Sequence, residues 1–188
     1  MRIMYIMLNS VTMFLTVGLL ALPLITYGDD SALLSKSQAL TTEYATQLQA
    51  ALQEAMSTGG PVAAIGVCKD FAPAIQSELS RLSGASVRRT SLRFRNPGNA
   101  PDDWETEALK MFASSNQKEL LETTASGMTR YIKAIPTGAV CLACHGEQLA
   151  PDVEESLDIA YPHDRARGYS LGDIRGAFSI TWPAPAPE

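Results

Sequence analysis

The chain has 188 residues, 46% of them hydrophobic and 19% charged, which is ample for one domain with a real core. Thirteen Gly and eleven Pro are ordinary numbers that exclude collagen-like and low-complexity chains, and no internal repeat of solenoid length is present. A formal charge of −5 argues against a partner bound through a nucleic-acid phosphate backbone.

Residues 1–28 carry one charge, Arg2, and an apolar stretch from Val11 to Tyr27 interrupted by Pro23. Thr26 and Gly28 place small residues at −3 and −1 of a cut before Asp29, which is the pattern of a secretory signal peptide. The competing reading is an uncleaved anchor helix, since the apolar run is near the lower limit for a span. Either way the remainder is expected to be exported to the periplasm, and only the anchor reading gives the chain a membrane partner. Without that segment 160 residues remain (188 − 28), with 14 basic and 20 acidic side chains, or −6. They are expected to form one domain, residues 29–188.

Leu33, Leu40, Tyr44, Leu48, Leu52 and Met56 recur at helical spacing, which predicts a long amphipathic helix over residues 31–57. Ser31 is its expected N-cap, and Gly59-Gly60-Pro61 is expected to stop it. A short apolar run from Val62 leads through Cys68 to a second helix at 71–82, with Pro73 near its first turn and Gly84 ending it. Residues 86–95 read as a strand and 96–101 as a loop. A short helix capped at Asp102 or Asp103 then runs to about Phe112. Residues 119–135 suit a hairpin that turns at Ala125-Ser126-Gly127. A short acidic helix at 152–160, a loop at 161–173 and a final strand at 174–182 complete the chain. Irregular alternation of helices and strands predicts an α+β class with a mainly antiparallel sheet.

Cys141-Leu142-Ala143-Cys144-His145 is a C-x-x-C-H sequence. Two thiols on one turn can add across the two vinyl groups of a haem, and the next residue, His145, is then placed under the iron as proximal axial ligand. A disulfide and half of a zinc site are the bland alternatives, but zinc needs two further ligands and an exported chain disfavours free thiolates. A thioredoxin-like pair lies in a different local context from Pro136-Thr137-Gly138. The motif occurs once, so one covalent haem c is expected.

The second axial ligand is open to Met56, Met111, Met128, His163 and Cys68. Of three cysteines the motif uses two, which leaves Cys68 unpaired in an oxidising compartment unless something ties it down. Cys68 precedes or opens a predicted helix and neighbours Lys69, both of which favour a thiolate. An inert buried thiol is the alternative.

Four guanidinium groups, Arg88, Arg89, Arg93 and Arg95, fall within eight residues. On a continuous strand Arg89, Arg93 and Arg95 share one face while Arg88 joins Leu92 and Phe94 on the other. Arg89, Arg93, Arg95 and also Arg175 are candidates for pairing with haem propionates, a bidentate task suited to Arg, against a solvated basic face. Asp102, Trp104 and Glu105 read as a cap, a core aromatic and a polar partner.

The series Val67-Cys68, Ala72-Pro73, Arg89-Thr90-Ser91-Leu92, Arg95-Asn96-Pro97, Pro101-Asp102, Trp104-Glu105, Cys141 to Gly146, Gly168-Tyr169 and Gly172 to Ala177 resembles the single-haem, PAS-like c-type domain family. Those domains occur alone as exported cytochromes and as input domains of membrane sensor proteins. The resemblance covers nearly all of the chain after residue 40. It implies a PAS-like sheet flanked by helices and a haem held axially by Cys and His, with Cys68 distal and His145 proximal. The family pattern does not require His163, which reads as a loop residue.

The expected role is a monohaem c-type cytochrome in redox or small-ligand sensing. The alternative is a soluble electron carrier. An enzyme such as a peroxidase needs a distal acid–base residue, and only His163 could serve, so catalysis is not expected. No output segment follows residue 188, so a signal is expected to leave through a separate redox or signalling protein.

Overall fold

A computed structural model describes residues 27–186; the signal or anchor segment expected over 1–28 lies outside them, save for its last two residues. Helix α1 runs from Tyr27 to Gly66, longer than the expected 31–57. The Gly59-Gly60-Pro61 triplet kinks it instead of ending it. Gly60 alone leaves the helix (φ 68°, ψ −164°), a backbone region open to glycine, and Pro61 restarts the turn at the position where its missing N–H is harmless. A single π turn, Val67–Phe71, joins this restarted helix to α2, Ala72–Ser83. Cys68 therefore sits within a continuous helical run and not at a helix start. The dipole argument for its thiolate fails for that reason.

Strand β1 is Ser86–Thr90, half the length expected. The chain turns away after Thr90, so Arg93 and Arg95 lie in the following loop and do not share a strand face with Arg89. Asp102 caps α3, Asp103–Ser114, through a capping box: its side chain accepts from the Glu105 N–H, and Glu105 accepts from the Asp102 N–H. β2, Glu119–Thr123, and β3, Thr129–Pro136, form the expected hairpin. One helical turn, α4, Leu142–His145, carries the Cys-x-x-Cys-His end, and α5, Pro151–Ala160, follows before β4, Ile174–Trp182.

The four strands form one antiparallel sheet in the order β1-β4-β3-β2. Side-chain alternation divides the core into two layers. Tyr131, Phe178, Ile180 and Val87 pack against Tyr44 and Leu48 of α1 and against α2, while Ile132, Ala134 and Ala177 pack against Leu109 and Phe112 of α3. A third cluster joins Ile65, at the end of α1, to Val153 and Leu157 of α5. The buried stripe of α1 includes Ser37 and Thr41, which the apolar periodicity passed over. Ser37 is buried because its Oγ accepts from Trp182 Nε1 at 2.8 Å. The chain is thus the α+β, mainly antiparallel architecture with a long N-terminal helix that its sequence predicts. No helix among the described residues is long and apolar enough to cross a membrane.

Candidate functional site

Three adjoining cavities, of about 60, 70 and 530 Å³, lie between α1, the π turn, the end of the sheet and α4. Arg89 and Arg175 line all three. Cys68 and His145 share the two smaller ones, and Cys141 borders the largest. The π turn is the local cause of the placement of Cys68: it holds one extra residue in the helical ladder, closed by the Ala72 N–H donating to Val67 O. Leu48 and Leu52 of α1 supply an apolar wall.

His145 is fixed on the opposite side. Its Nδ1 lies 2.7 Å from the carbonyl of Ala166, and a carbonyl can only accept, so Nδ1 carries the proton and Nε2 keeps a free lone pair. Burial, followed by the positive charges of Arg175 and Arg95, holds the ring well below the usual imidazole range and hence neutral. Its backbone is clamped as well, since the Tyr169 N–H donates to His145 O and the Gly168 N–H to Gly146 O. A neutral imidazole with one nitrogen committed and the other free is the form that binds a metal ion.

All three cysteines are free thiols. Cys141 and Cys144 stand one turn apart, and burial pushes the Cys144 thiol above its ordinary range. Among the described residues no group of three or more His, Cys, Asp or Glu side chains gathers as a metal cage, so nothing completes a zinc site around the pair.

The arginines separate into two kinds. The strand register skips from Ile135 opposite Gly176 to Pro136 opposite Ile174, so Arg175 sits unpaired in a bulge beside the cavities. Its Nε and that of Arg89 are buried without a hydrogen-bond partner, as is Thr137 Oγ1 at the border of the largest cavity. Burial holds Arg175 below its usual range, and Arg89 beside it adds to the effect. By contrast Arg93 donates to the carbonyls of Arg167 and Gly168 and stacks 3.7 Å from the Tyr169 ring centre. Arg95 donates to Asp164 and to two carbonyls, those of Cys144 and Ala166. Arg93 and Arg95 are thus spent on the protein itself, whereas Arg89 and Arg175 form no ion pair among the described residues, and Arg89 lies 5.7 Å from the Tyr44 ring centre.

Of the candidate distal ligands, Met56 lines a cavity with Cys68 and His145. Met111 packs in the α3 layer, Met128 lies in the β2–β3 turn, and His163 is exposed and borders none of the three cavities. Sequence reasoning missed Thr137, for which no local signal exists, and Tyr161, which lines the Cys68 cavity with its hydroxyl pushed up to about 12 by burial.

Together the residues offer paired thiols, a neutral imidazole, a third thiol and two uncompensated guanidinium groups around an apolar-walled space. A comparison with curated proteins returns no match. Among solved structures the chain is similar to the crystal structure of the cyanobacterial heme-protein Tll0287, with a TM-score of 0.67, 25% sequence identity, and coverage of 82% of this chain and 97% of that one. The fold is accordingly PAS-like α+β, and with the Tll0287-like family model matching residues 28–183, the chain belongs to the Tll0287-like family.

Proposed function

We propose that the chain is an exported monohaem c-type cytochrome whose haem is joined by thioethers to Cys141 and Cys144, with His145 as proximal and Cys68 as distal iron ligand. The observation that carries this is the meeting of Cys68 and His145 on the same cavities at the C-x-x-C-H turn. Its likeness to a haem protein supports the same cofactor. The orphaned Nε atoms of Arg89 and Arg175 suit two propionates, and Leu48 and Leu52 suit a flat apolar ring. When bound, haem supplies a one-electron ferric/ferrous couple. His145 presents Nε2 because Ala166 holds its other nitrogen. Cys68, as an anionic sulfur, favours the ferric state and lowers the potential relative to Met/His ligation. With haem bound, a weaker hold of Cys68 in the ferrous state would leave this side of the cavity open to a small ligand. That is the physical basis for a redox or small-ligand sensing role, read out by a protein partner, and the site is not read as an enzyme's.

Two measurements test the reading. Made with a c-haem maturation system, the polypeptide keeps its haem through denaturing electrophoresis; haem that separates from the chain refutes thioether attachment. Cys68→Ala converts a low-spin, thiolate-type ferric EPR signal to a high-spin or water-ligated one. An unchanged spectrum makes Cys68 an inert thiol. The position of Met56 on the Cys68 cavity favours one second reading, a Met/His electron carrier of higher potential, and Met56→Leu then removes the low-spin signal instead.

A further inference from the structure

His145 Nδ1–H donates to the backbone carbonyl of Ala166, a residue whose C=O and N–H are held by two buried charges, Arg95 and Asp164. The Ala166 carbonyl accepts from His145 Nδ1 at 2.7 Å and from Arg95 Nη2 at 3.3 Å. The N–H of the same residue donates to Asp164 Oδ1 at 2.9 Å. Arg95 Nε donates to that same Oδ1 at 3.0 Å, which closes a ring of bonds around Ala166. Arg95 Nη2 also donates to Cys144 O at 2.6 Å, so one guanidinium grips both the turn that bears His145 and the carbonyl that His145 needs. The side chains are 9% and 2% exposed, which places the pair out of reach of solvent screening. Arg167 Nε donates to the remaining oxygen, Asp164 Oδ2, at 2.9 Å and fixes the carboxylate.

We propose that Arg95 and Asp164 are positioning residues which, through the Ala166 backbone, set how strongly His145 donates to a haem iron and thereby bias its ferric–ferrous balance. This rests on the haem reading above. The chemistry has a definite sign. By donating to the Ala166 oxygen, Arg95 draws away electron density and leaves a weaker acceptor for the His145 proton. The ring keeps its neutral character and donates moderately. Without Arg95 that oxygen accepts more strongly, the ring gains imidazolate character, and the ferric state is favoured. Asp164 works in the other direction, because it neutralises part of the Arg95 charge.

The test uses the haem-loaded protein, with an external one-electron reductant such as dithionite titrated against ferricyanide. Arg95→Gln is expected to lower the potential, raising the ferric-to-ferrous ratio at fixed ambient potential on the order of tenfold, the low end of what losing an outer-shell partner costs a metal site in affinity or activity. Asp164→Asn is expected to shift it the opposite way. The paramagnetic NMR shift of the His145 Nδ1–H moves in both variants. Arg95→Lys retains the charge but not the planar fork, so it is not expected to restore the wild-type values. Full rescue by Arg95→Lys reduces the effect to bulk charge and overturns the proposal. So do variants that melt earlier while potential and NMR shift stay put, because they show a structural ion pair alone. If Arg95→Gln does not accumulate, Asp164→Asn decides by the sign of its shift, and no rise overturns the proposal. A wild-type chain that takes up no haem overturns the functional reading itself, which separates that failure from this one.

Discussion

The sheet carries arginines towards both of its sides, and the two sides treat them differently. Towards α3, Arg88 and Arg130 converge on carboxylates: Arg88 pairs with Glu105 at 3.2 Å, and Arg130 pairs with Asp102 at 2.6 Å while its guanidinium lies over the Trp104 ring. Glu105 is 1% exposed and doubles as half of the capping box, so charge balance and helix entry are one structure. Towards α1, Arg89 and Arg175 meet with no ion pair to any described residue, and the Nε of each is orphaned. The first arrangement gives each guanidinium a carboxylate, although Arg130 Nε and Glu105 Oε1 are themselves buried without a hydrogen-bond partner. The second is a pair of half-buried guanidinium groups with no carboxylate beside them, an arrangement that a bound anion would stabilise.

The comparison breaks most visibly at Glu105. Glu105→Ala leaves the half-buried Arg88 and Arg130 with Asp102 alone as counter-charge and removes half the capping box, and a loss of up to about 3–5 kcal/mol, the scale of breaking a buried pair, is expected. Urea denaturation of the haem-loaded protein reads this as a lower midpoint, with the ferric absorption spectrum unchanged. Gly176→Ala comes next, on the cavity side. A Cβ there meets Thr90 O at 2.5 Å and Ser91 Cβ at 3.3 Å, so β1 and β4 must separate, at about 1–3 kcal/mol, the usual cost of overpacking. A midpoint equal to wild type is the outcome that contradicts this close approach. Arg175→Leu sharpens the contrast. In the haem-free polypeptide it is expected to be neutral or stabilising, since it removes a buried charge without a partner. In the haem-loaded protein it lowers the reduction potential, because a positive charge near the iron is lost. A stability loss in the haem-free chain equal to that of Glu105→Ala shows the two sides to be alike.

The same contrast explains which parts of the molecule were legible in the sequence. The α3 side is written locally: Asp102 and Glu105 stand three apart as a capping box, and the β2–β3 hairpin has its turn residues in place. The Cys141-x-x-Cys144-His145 turn is equally local, because its three side chains stand within five positions. The cavity side depends on distant parts of the chain. Nothing near Gly60 says that Pro61 resumes the helix, since the left-handed residue interrupts only one step of the ladder. Nothing near Arg93 and Arg95 ends β1 at Thr90; carbonyls some 50 to 75 positions away take those guanidinium groups instead of a strand partner. Arg175 faces the cavities because the bulge against β3 turns it there, a register event no single segment encodes. Ser37 escaped notice because hydroxyls do not count in an apolar stripe, and its burial is explained only by Trp182, 145 residues further on.

The smallest expected effect lies where α1 crosses the sheet on the cavity side, away from the Cys141–His145 turn. The Tyr131 hydroxyl donates to Glu119 Oε2 at 2.6 Å, and Gln38 of α1 donates to Glu119 Oε1 at 3.2 Å. The Tyr131 hydrogen bond, helped by Gln38 and Lys133 against the effect of burial, holds the Glu119 carboxyl below its ordinary value of 4.5. A carboxyl with a lowered folded-state pKa contributes stability that is fully present above the unfolded value and is lost as pH falls through the folded one. This pair therefore steadies the α1–sheet contact at neutral pH and lets go in acid. Tyr131→Phe keeps the buried ring and removes the donor, so the stability of the variant should fall below wild type at pH 7 and approach it as the pH drops below 4.5. Thermal melts of both proteins from pH 7 down to about pH 3 give the comparison, since an ordinary glutamate carboxyl titrates across that interval. Curves that stay parallel throughout show that the phenol and the carboxylate are neighbours without being coupled.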